Sequence, residues 1–170
     1  MGSYNYTIPF DRAFSALPRR VTQGWSLNGI VRLATGLPVS ISENGDRSLT
    51  GGSGVDRPNY LGGLAITLDV KSDGFVYFNK SAFSEEALGG QGTSTPRFFH
   101  GPGLENFDTG LQKITRLRER YSLQFRAEFF NTLNHANFSN PSGSFTSANF
   151  GKVTAAGAGR VGQVSLKFLW

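Results

Sequence analysis

The stretch Tyr121-Ser122-Leu123-Gln124-Phe125-Arg126-Ala127-Glu128-Phe129-Phe130 decides the fold. Its odd positions are aromatic or aliphatic, whereas Ser122, Gln124, Arg126 and Glu128 fill the even ones up to Phe130. Successive side chains of an extended chain point to opposite faces, so this pattern predicts a strand with one apolar and one polar face. A helix would mix the two sets on every side.

Four further segments carry the same period. In the first, Tyr4, Tyr6, Ile8 and Phe10 oppose Asn5, Thr7 and Pro9. The second runs from Gly24 to about Ile41; Trp25, Leu27, Gly29, Val31 and Leu33 oppose Ser26, Asn28, Ile30, Arg32 and Ala34, with Ile30 as the exception. The third, about Asn106 to Arg116, is the least regular, with Phe107, Thr109, Leu111 and Lys113 opposing Asp108, Gly110, Gln112 and Ile114. The last sets Gly162, Val164, Leu166, Phe168 and Trp170 against Gln163, Ser165, Lys167 and Leu169. Residues 11–23 and 117–120 are short links, whereas about 42–105 and 134–160 are long and rich in Gly, Ser, Asn and Pro. Within the first long link, Leu64-Ala65-Ile66-Thr67-Leu68 and Phe75-Val76-Tyr77-Phe78 suit small strands, and Lys80 to Leu88 a helical turn.

The rest of the composition agrees with an all-β, antiparallel chain. Of 170 residues, 22 are Gly and 15 Phe, with one Met, and only 17% are charged against about 25% in an ordinary domain. Without cysteine there is no disulfide scaffold, thiol nucleophile or cysteine zinc site, and two histidines are too few for a histidine metal cluster. No apolar run reaches the 18 residues of a membrane helix, and Met1-Gly2-Ser3-Tyr4-Asn5-Tyr6 lacks the charged and apolar regions of a signal peptide, so neither a helical membrane protein nor an autonomous secreted precursor is expected.

The chemical motifs carry little. Gly157-Ala158-Gly159-Arg160-Val161-Gly162 matches GxGxxG, but a dinucleotide site needs a helix after it and an acidic residue about twenty positions on, and here the chain enters its last strand. His100 and His135 have no ligand spacing, and no Ser, Asp and His are arranged as a triad, so no catalytic residue, cofactor or metal site is expected. Glu85-Glu86 reads as the start of a solvated turn. Asp69 with Asp73, or Asp46 with Asp56, supply oxygens of the kind a loop-bound calcium ion takes, without an EF-hand pattern. The net charge of +5 and the interleaving at Arg97-Phe98-Phe99-His100 admit nucleic acid, but Glu128 shares a face with Arg126, so the stripe is mixed in sign and no nucleic-acid partner is expected. Arg116, Arg118 and Arg120 sit at a turn, suited to headgroup or periplasmic contacts.

A soluble β-sandwich carbohydrate-binding module, with sugar held by Asn- and aromatic-rich loops, would also alternate. Three features favour a transmembrane sheet instead. Long strands keep polar residues (Asn28, Arg32, Gln124, Arg126, Glu128, Gln163, Lys167) on one face, as a sheet between lipid and a watery lumen does. Short and long links alternate like periplasmic turns and extracellular loops. Phe10, Trp25, Tyr121 and Trp170 all fall at strand ends on the short-link side with outward parity, an aromatic girdle at a lipid interface.

The end of the chain, Val164-Ser165-Leu166-Lys167-Phe168-Leu169-Trp170, resembles the C-terminal assembly signal of bacterial outer-membrane proteins, where Val164, Leu166, Phe168 and Trp170 would be read by the barrel-assembly machinery. With Gly24-Trp25-Ser26-Leu27-Asn28-Gly29, Thr35-Gly36-Leu37-Pro38, Phe78-Asn79-Lys80-Ser81-Ala82-Phe83 and Phe125 through His135, nearly the whole chain is similar to the C-terminal barrel portion of Oar-like TonB-dependent outer-membrane transporters, a type abundant in acidobacteria. The resemblance implies the outer membrane of a Gram-negative bacterium, and a parent barrel of about 22 strands filled by a plug. Its partners would be membrane lipid, the remaining strands, and an inner-membrane energy-coupling complex acting through the plug. Five strands cannot close around a plug, and neither the plug nor an energy-coupling box is in the sequence. Residues 1–170 are therefore expected as the last strands of a truncated or split gene product, with Met1 an internal start, not functional alone.

Overall fold

The computed structural model describes the chain apart from residues 53, 55, 64–73, 75 and 98, so the small strand expected at 64–68 and the pair Asp69 and Asp73 lie outside the described residues. The strands are β1 (Gly2–Ile8), β2 (Trp25–Ala34), β3 (Pro38–Val39), β4 (Asn59–Tyr60), β5 (Phe83–Ser84), β6 (Phe99–His100), β7 (Leu104–Arg116), β8 (Ser122–Phe130) and β9 (Val161–Leu169). They fall into two units.

The first unit comprises Met1–Ala34, Leu104–Asn137 and Ala158–Trp170. It is a five-stranded sheet of order β1-β2-β7-β8-β9, antiparallel throughout. Its five strands are the five alternating segments of the sequence, and the register aligns their parities. Tyr6, Leu27, Leu111, Ala127 and Val164 form one row across all the strands, and Asn5, Asn28, Gly110, Glu128 and Gln163 form the next row on the opposite face. Two glycines interrupt the apolar face. A Cβ on Gly29 would lie 2.5 Å from Tyr4 Oη, and one on Gly162 would lie 3.0 Å from the Phe129 ring. Each glycine is thus covered by the aromatic side chain of its cross-strand partner.

Two boundaries differ from the periodicity. The first strand ends at Ile8, because Pro9 offers no N–H to the ladder, and Phe10–Ala13 is one helical turn, α1. A second turn, α2 (Arg19–Thr22), follows Pro18. The second strand stops at Ala34 and not near Ile41. At Gly36 a Cβ would stand 1.6 Å from the carbonyl oxygen of Gly101, so the chain can pass there only as glycine. Pro38 and Val39 then pair with His100 and Phe99.

The second unit, Thr35–Gly103 with Phe138–Gly157, holds the packed core. Phe78, Phe83, Phe99, Phe145 and Phe150 are buried with Val39, Ile41 and Ala82. Phe78, fully buried, has ring centroids of Phe99 at 4.7 Å and Phe150 at 6.0 Å. The expected helical turn is a single 3-10 turn, Lys80–Ala82, capped by the Asn79 carboxamide, which accepts from Ser81 N at 3.1 Å. Phe78-Asn79-Lys80-Ser81-Ala82-Phe83 is therefore a capped turn that delivers two phenylalanines to one core. Of the segment expected as a strand at 75–78, Val76 makes a single bridge with Lys152. The two long links are thus not two separate stretches of irregular chain. They interleave, Ser42 bridging Ser144 and Val76 bridging Lys152, around shared aromatic residues.

This distribution is inverted relative to a water-soluble β domain. Every buried hydrophobic residue described lies in the second unit, while Val164 and Leu166 on β9 are 69% and 66% exposed. Full burial of one such side chain stabilises by about 1.5–3 kcal/mol, so a face of them in water would be costly. In hydrocarbon it is not.

Candidate functional site: the polar face of the sheet

The polar face is built from the even positions of β2, β7 and β8 and the odd positions of β9. Glu128 is its centre: Arg126 Nη2 donates to Oε1 at 2.6 Å and Gln163 Nε2 to Oε2 at 2.6 Å. In its row, Asn28 lies across the missing side chain of Gly110, where a Cβ would stand 2.5 Å from Asn28 Oδ1. Asn28, Ile30, Asp108, Gly110, Glu128 and Phe130 border a hollow of about 140 Å³. Gln124 pairs with Lys167 across β8 and β9.

Arg32 stands apart from that ladder. Its Nη2 is 3.5 Å from Asp108 Oδ2, and Asp108 Oδ1 also accepts from Asn106 Nδ2 at 2.8 Å and from the N–H of Asn131 at 2.9 Å. Asn131, buried and at φ +50°, clamps the chain as it leaves β8. Its Nδ2 donates to the carbonyls of His135 (2.9 Å) and Ala158 (3.2 Å), and its Oδ1 accepts from His135 N (3.0 Å). All seven polar residues singled out in the sequence share this face by register, and Asn28, Arg126 and Gln163 stand around Glu128. The hub made by Asp108, Asn106 and Asn131 was not singled out. Asp108 sits in the least regular segment, and nothing in the spacing marks Asn131 as a left-handed cap. Exposed pairs of this kind contribute about 0–1 kcal/mol each, so the face supplies a wetted surface of mixed charge more than stability.

At the short-link end the four aromatic residues form two groups. Phe10, carried on α1, meets Trp25 edge-on at 5.9 Å, while Tyr121 stacks on Phe168 at 5.8 Å and Phe168 on Trp170 at 6.2 Å. Lys113 is the one lysine on the apolar face of the five strands. Its Nζ lies 4.7 Å from the Trp25 ring centroid and donates to the carbonyls of Val21 (2.6 Å) and Gln23 (3.2 Å), so the charge leaves the apolar face at the rim.

The other motifs resolve as local structure. Asp46 accepts from the N–H groups of Thr50 (2.8 Å) and Gly51 (2.9 Å). Asp56 accepts from Ser48 Oγ and N, which hold its carboxyl below the usual range. Both carboxylates are therefore occupied by their own loop. In the run Gly157 to Gly162, Arg160 N donates to Asn134 Oδ1 at 3.0 Å and no helix follows, because β9 does. His135 Nδ1 lies 4.0 Å from Glu105 Oε2, and His100 lies in β6 opposite Pro38. Glu85 is exposed as expected of a solvated turn, but Glu86 is buried.

Residues 1–163 match the family described as outer membrane beta barrel domain. Comparison with curated proteins and with solved structures gives no match.

Proposed function

Because the chain belongs to the outer-membrane β-barrel domain family, we propose that it forms the last strands of a TonB-dependent, Oar-like transporter barrel that takes up a large, scarce solute and does not work alone. The observation that carries this reading is the sheet itself. It has a polar face of mixed charge, an exposed apolar face, and two edge strands, β1 and β9, each paired on one side only. Five strands are fewer than the eight of the smallest outer-membrane barrels. Unpaired backbone groups in lipid cost several kcal/mol each, so both edges call for further strands from the parent chain. In such a barrel Asn28, Arg32, Gln124, Arg126, Glu128, Gln163 and Lys167 line the lumen toward the plug. Phe10, Trp25, Tyr121 and Trp170 sit at the periplasmic interface. The unit built from the long links lies outside the cell, where it helps capture solute, and uptake is driven by the energy-coupling complex pulling on the plug. The role is transport and requires no catalytic group. A soluble sandwich would need a second sheet over the apolar face, and the other sheets among the described residues have two strands of two residues each.

Expressed without its parent, the chain should aggregate or require detergent, because neither edge is satisfied. A monodisperse monomer that unfolds sharply and reversibly without detergent would overturn the reading. Deleting Trp170 in the parent should lower the amount of inserted barrel severalfold while leaving the unfolding midpoint of the inserted fraction unchanged. The residue is 87% exposed and touches Phe168 only at ring-stacking distance, so little folding energy rests on it. Unchanged outer-membrane levels would remove the assembly role of Val164, Leu166, Phe168 and Trp170.

A further inference from the structure

Glu43 and Glu86 are the two largest charged side chains buried completely among the described residues, exposed by 0% and 2%, and they face one another in the unit built from the long links. None of their four carboxylate oxygens receives a hydrogen bond. The neighbouring cation is already committed: Arg47 Nη1 lies 3.4 Å from Glu85 Oε2 and its Nε donates to the main-chain carbonyl of Glu86 at 3.0 Å. Glu85 adds a third negative charge nearby. Buried carboxylates are ordinarily paired, hydrogen-bonded or metal-bound. Here no cation among the described residues pairs with them, and the one hydrogen bond open to them is with each other, which requires one of the two to be protonated.

The surrounding chain holds the pair in place. The N–H of Glu43 donates to the carbonyl of Asp56 (2.8 Å), the N–H of Ser94 to that of Pro58 (3.1 Å), and the N–H of Gly89 to that of Arg47 (2.7 Å). The two carboxylates are thus carried on segments tied to one another through their backbones. Ser94 Oγ, on one of these segments, is a further buried oxygen without a partner. We propose that Glu43 and Glu86 bind a calcium ion that locks the two halves of the 43–94 region together. Oxygen ligands select a hard cation. Among the described residues no group of three metal-ligating side chains exists, so carbonyls, hydroxyls and water must complete the shell, which is the composition of a weak extracellular calcium site and not of a zinc site. The proposal rests on the placement of this unit outside the cell and not on transport.

Without the ion, burial and the Glu86 carboxylate push the Glu43 carboxyl up to about 8, so near neutrality the pair holds one proton that calcium must displace. Affinity should therefore rise with pH.

The test uses the full chain in detergent micelles, stripped with chelator, with calcium chloride added at pH 7.5 and 8.5. One ion per chain should bind with Kd of about 0.1–1 mM, more tightly at the higher pH, and slow proteolysis within 43–94 at least tenfold. Glu43→Gln and Glu86→Gln should each weaken binding at least tenfold, yet without calcium resist protease as well as the parent sequence does, because the amide donates to the remaining carboxylate. Magnesium should protect less. Absence of calcium binding, with protection gained only on acidification from pH 8.5 to 6, would mean a shared proton alone and would overturn the proposal. Equal calcium protection in both glutamine variants would overturn it as well.

Discussion

Phe78→Ala should destabilise the unit formed by residues 35–103 and 138–157 by about 3–5 kcal/mol, the usual cost of truncating a fully buried aromatic residue. The ring has no exposure and packs between Phe99 and Phe150, with Tyr77 edge-on at 5.4 Å. Space vacated there cannot be refilled easily, because Gly151 approaches too closely: a Cβ on it would already lie 2.9 Å from Phe78 Cβ, and its φ is +72°. A domain commonly has 5–15 kcal/mol of stability, so this loss leaves the unit marginal. Hydrogen exchange should show the amides around Phe83, Phe99 and Phe145 losing protection, while amides of β7 and β8 keep theirs. Equal protection in variant and parent would mean that the aromatic cluster does not hold the unit together.

The contrast between those two regions explains what could be read from the chain before its structure. Membrane strands obey a strict period of two, because lipid and water enforce opposite chemistry on alternate residues. The facing of Arg126, Glu128 and Gln163 was therefore readable from parity alone. The strand ends were less so: Pro9 marks the end at Ile8 locally, but the end at Ala34 comes with the glycine contact at Gly36, which depends on Gly101 far along the sequence. The second unit carries no period at all. Its core residues Val39, Phe78, Phe99 and Phe145 come from four separate stretches that no spacing in the sequence joins. Glu86 was misjudged for the same reason: beside exposed Glu85 it resembles a solvated turn, and its burial next to Glu43, far earlier in the chain, leaves no mark in the local sequence. Asp108 could have been found, because parity places it on the polar face beside Arg32's row. Its partner Asn131 could not, since it reaches Asp108 from beyond the end of β8.

Arginine in place of Leu166 should destabilise an inserted barrel by about 2–4 kcal/mol, whereas arginine at Ser165 should be nearly neutral. The two positions are neighbours in sequence and differ only in face: Leu166 opposes Phe125 on the apolar side, and Ser165 opposes Arg126 on the polar side. Depth refines the expectation. Leu166 lies in the same row as Lys113, which escapes the apolar face by reaching the carbonyls of Val21 and Gln23. An arginine at 166 is two strands away from those acceptors, but it is equally near the short-link rim and has the longer side chain, so its cost should fall in the lower half of the range. Val164 lies two residues farther from that rim, in the row of Leu27, Leu111 and Ala127, where no charged side chain stands. Val164→Arg should therefore reach the upper half. Unfolding of the parent barrel in lipid vesicles would rank the three variants, and the order 164, then 166, then 165 is the signature of a strand with one face in hydrocarbon. A soluble sheet edge would give no such gradient, because exposed Val164 and Leu166 would tolerate arginine as readily as Ser165. Equal tolerance at all three positions would therefore remove β9 from the membrane, and with it the meaning of every parity assigned across the sheet.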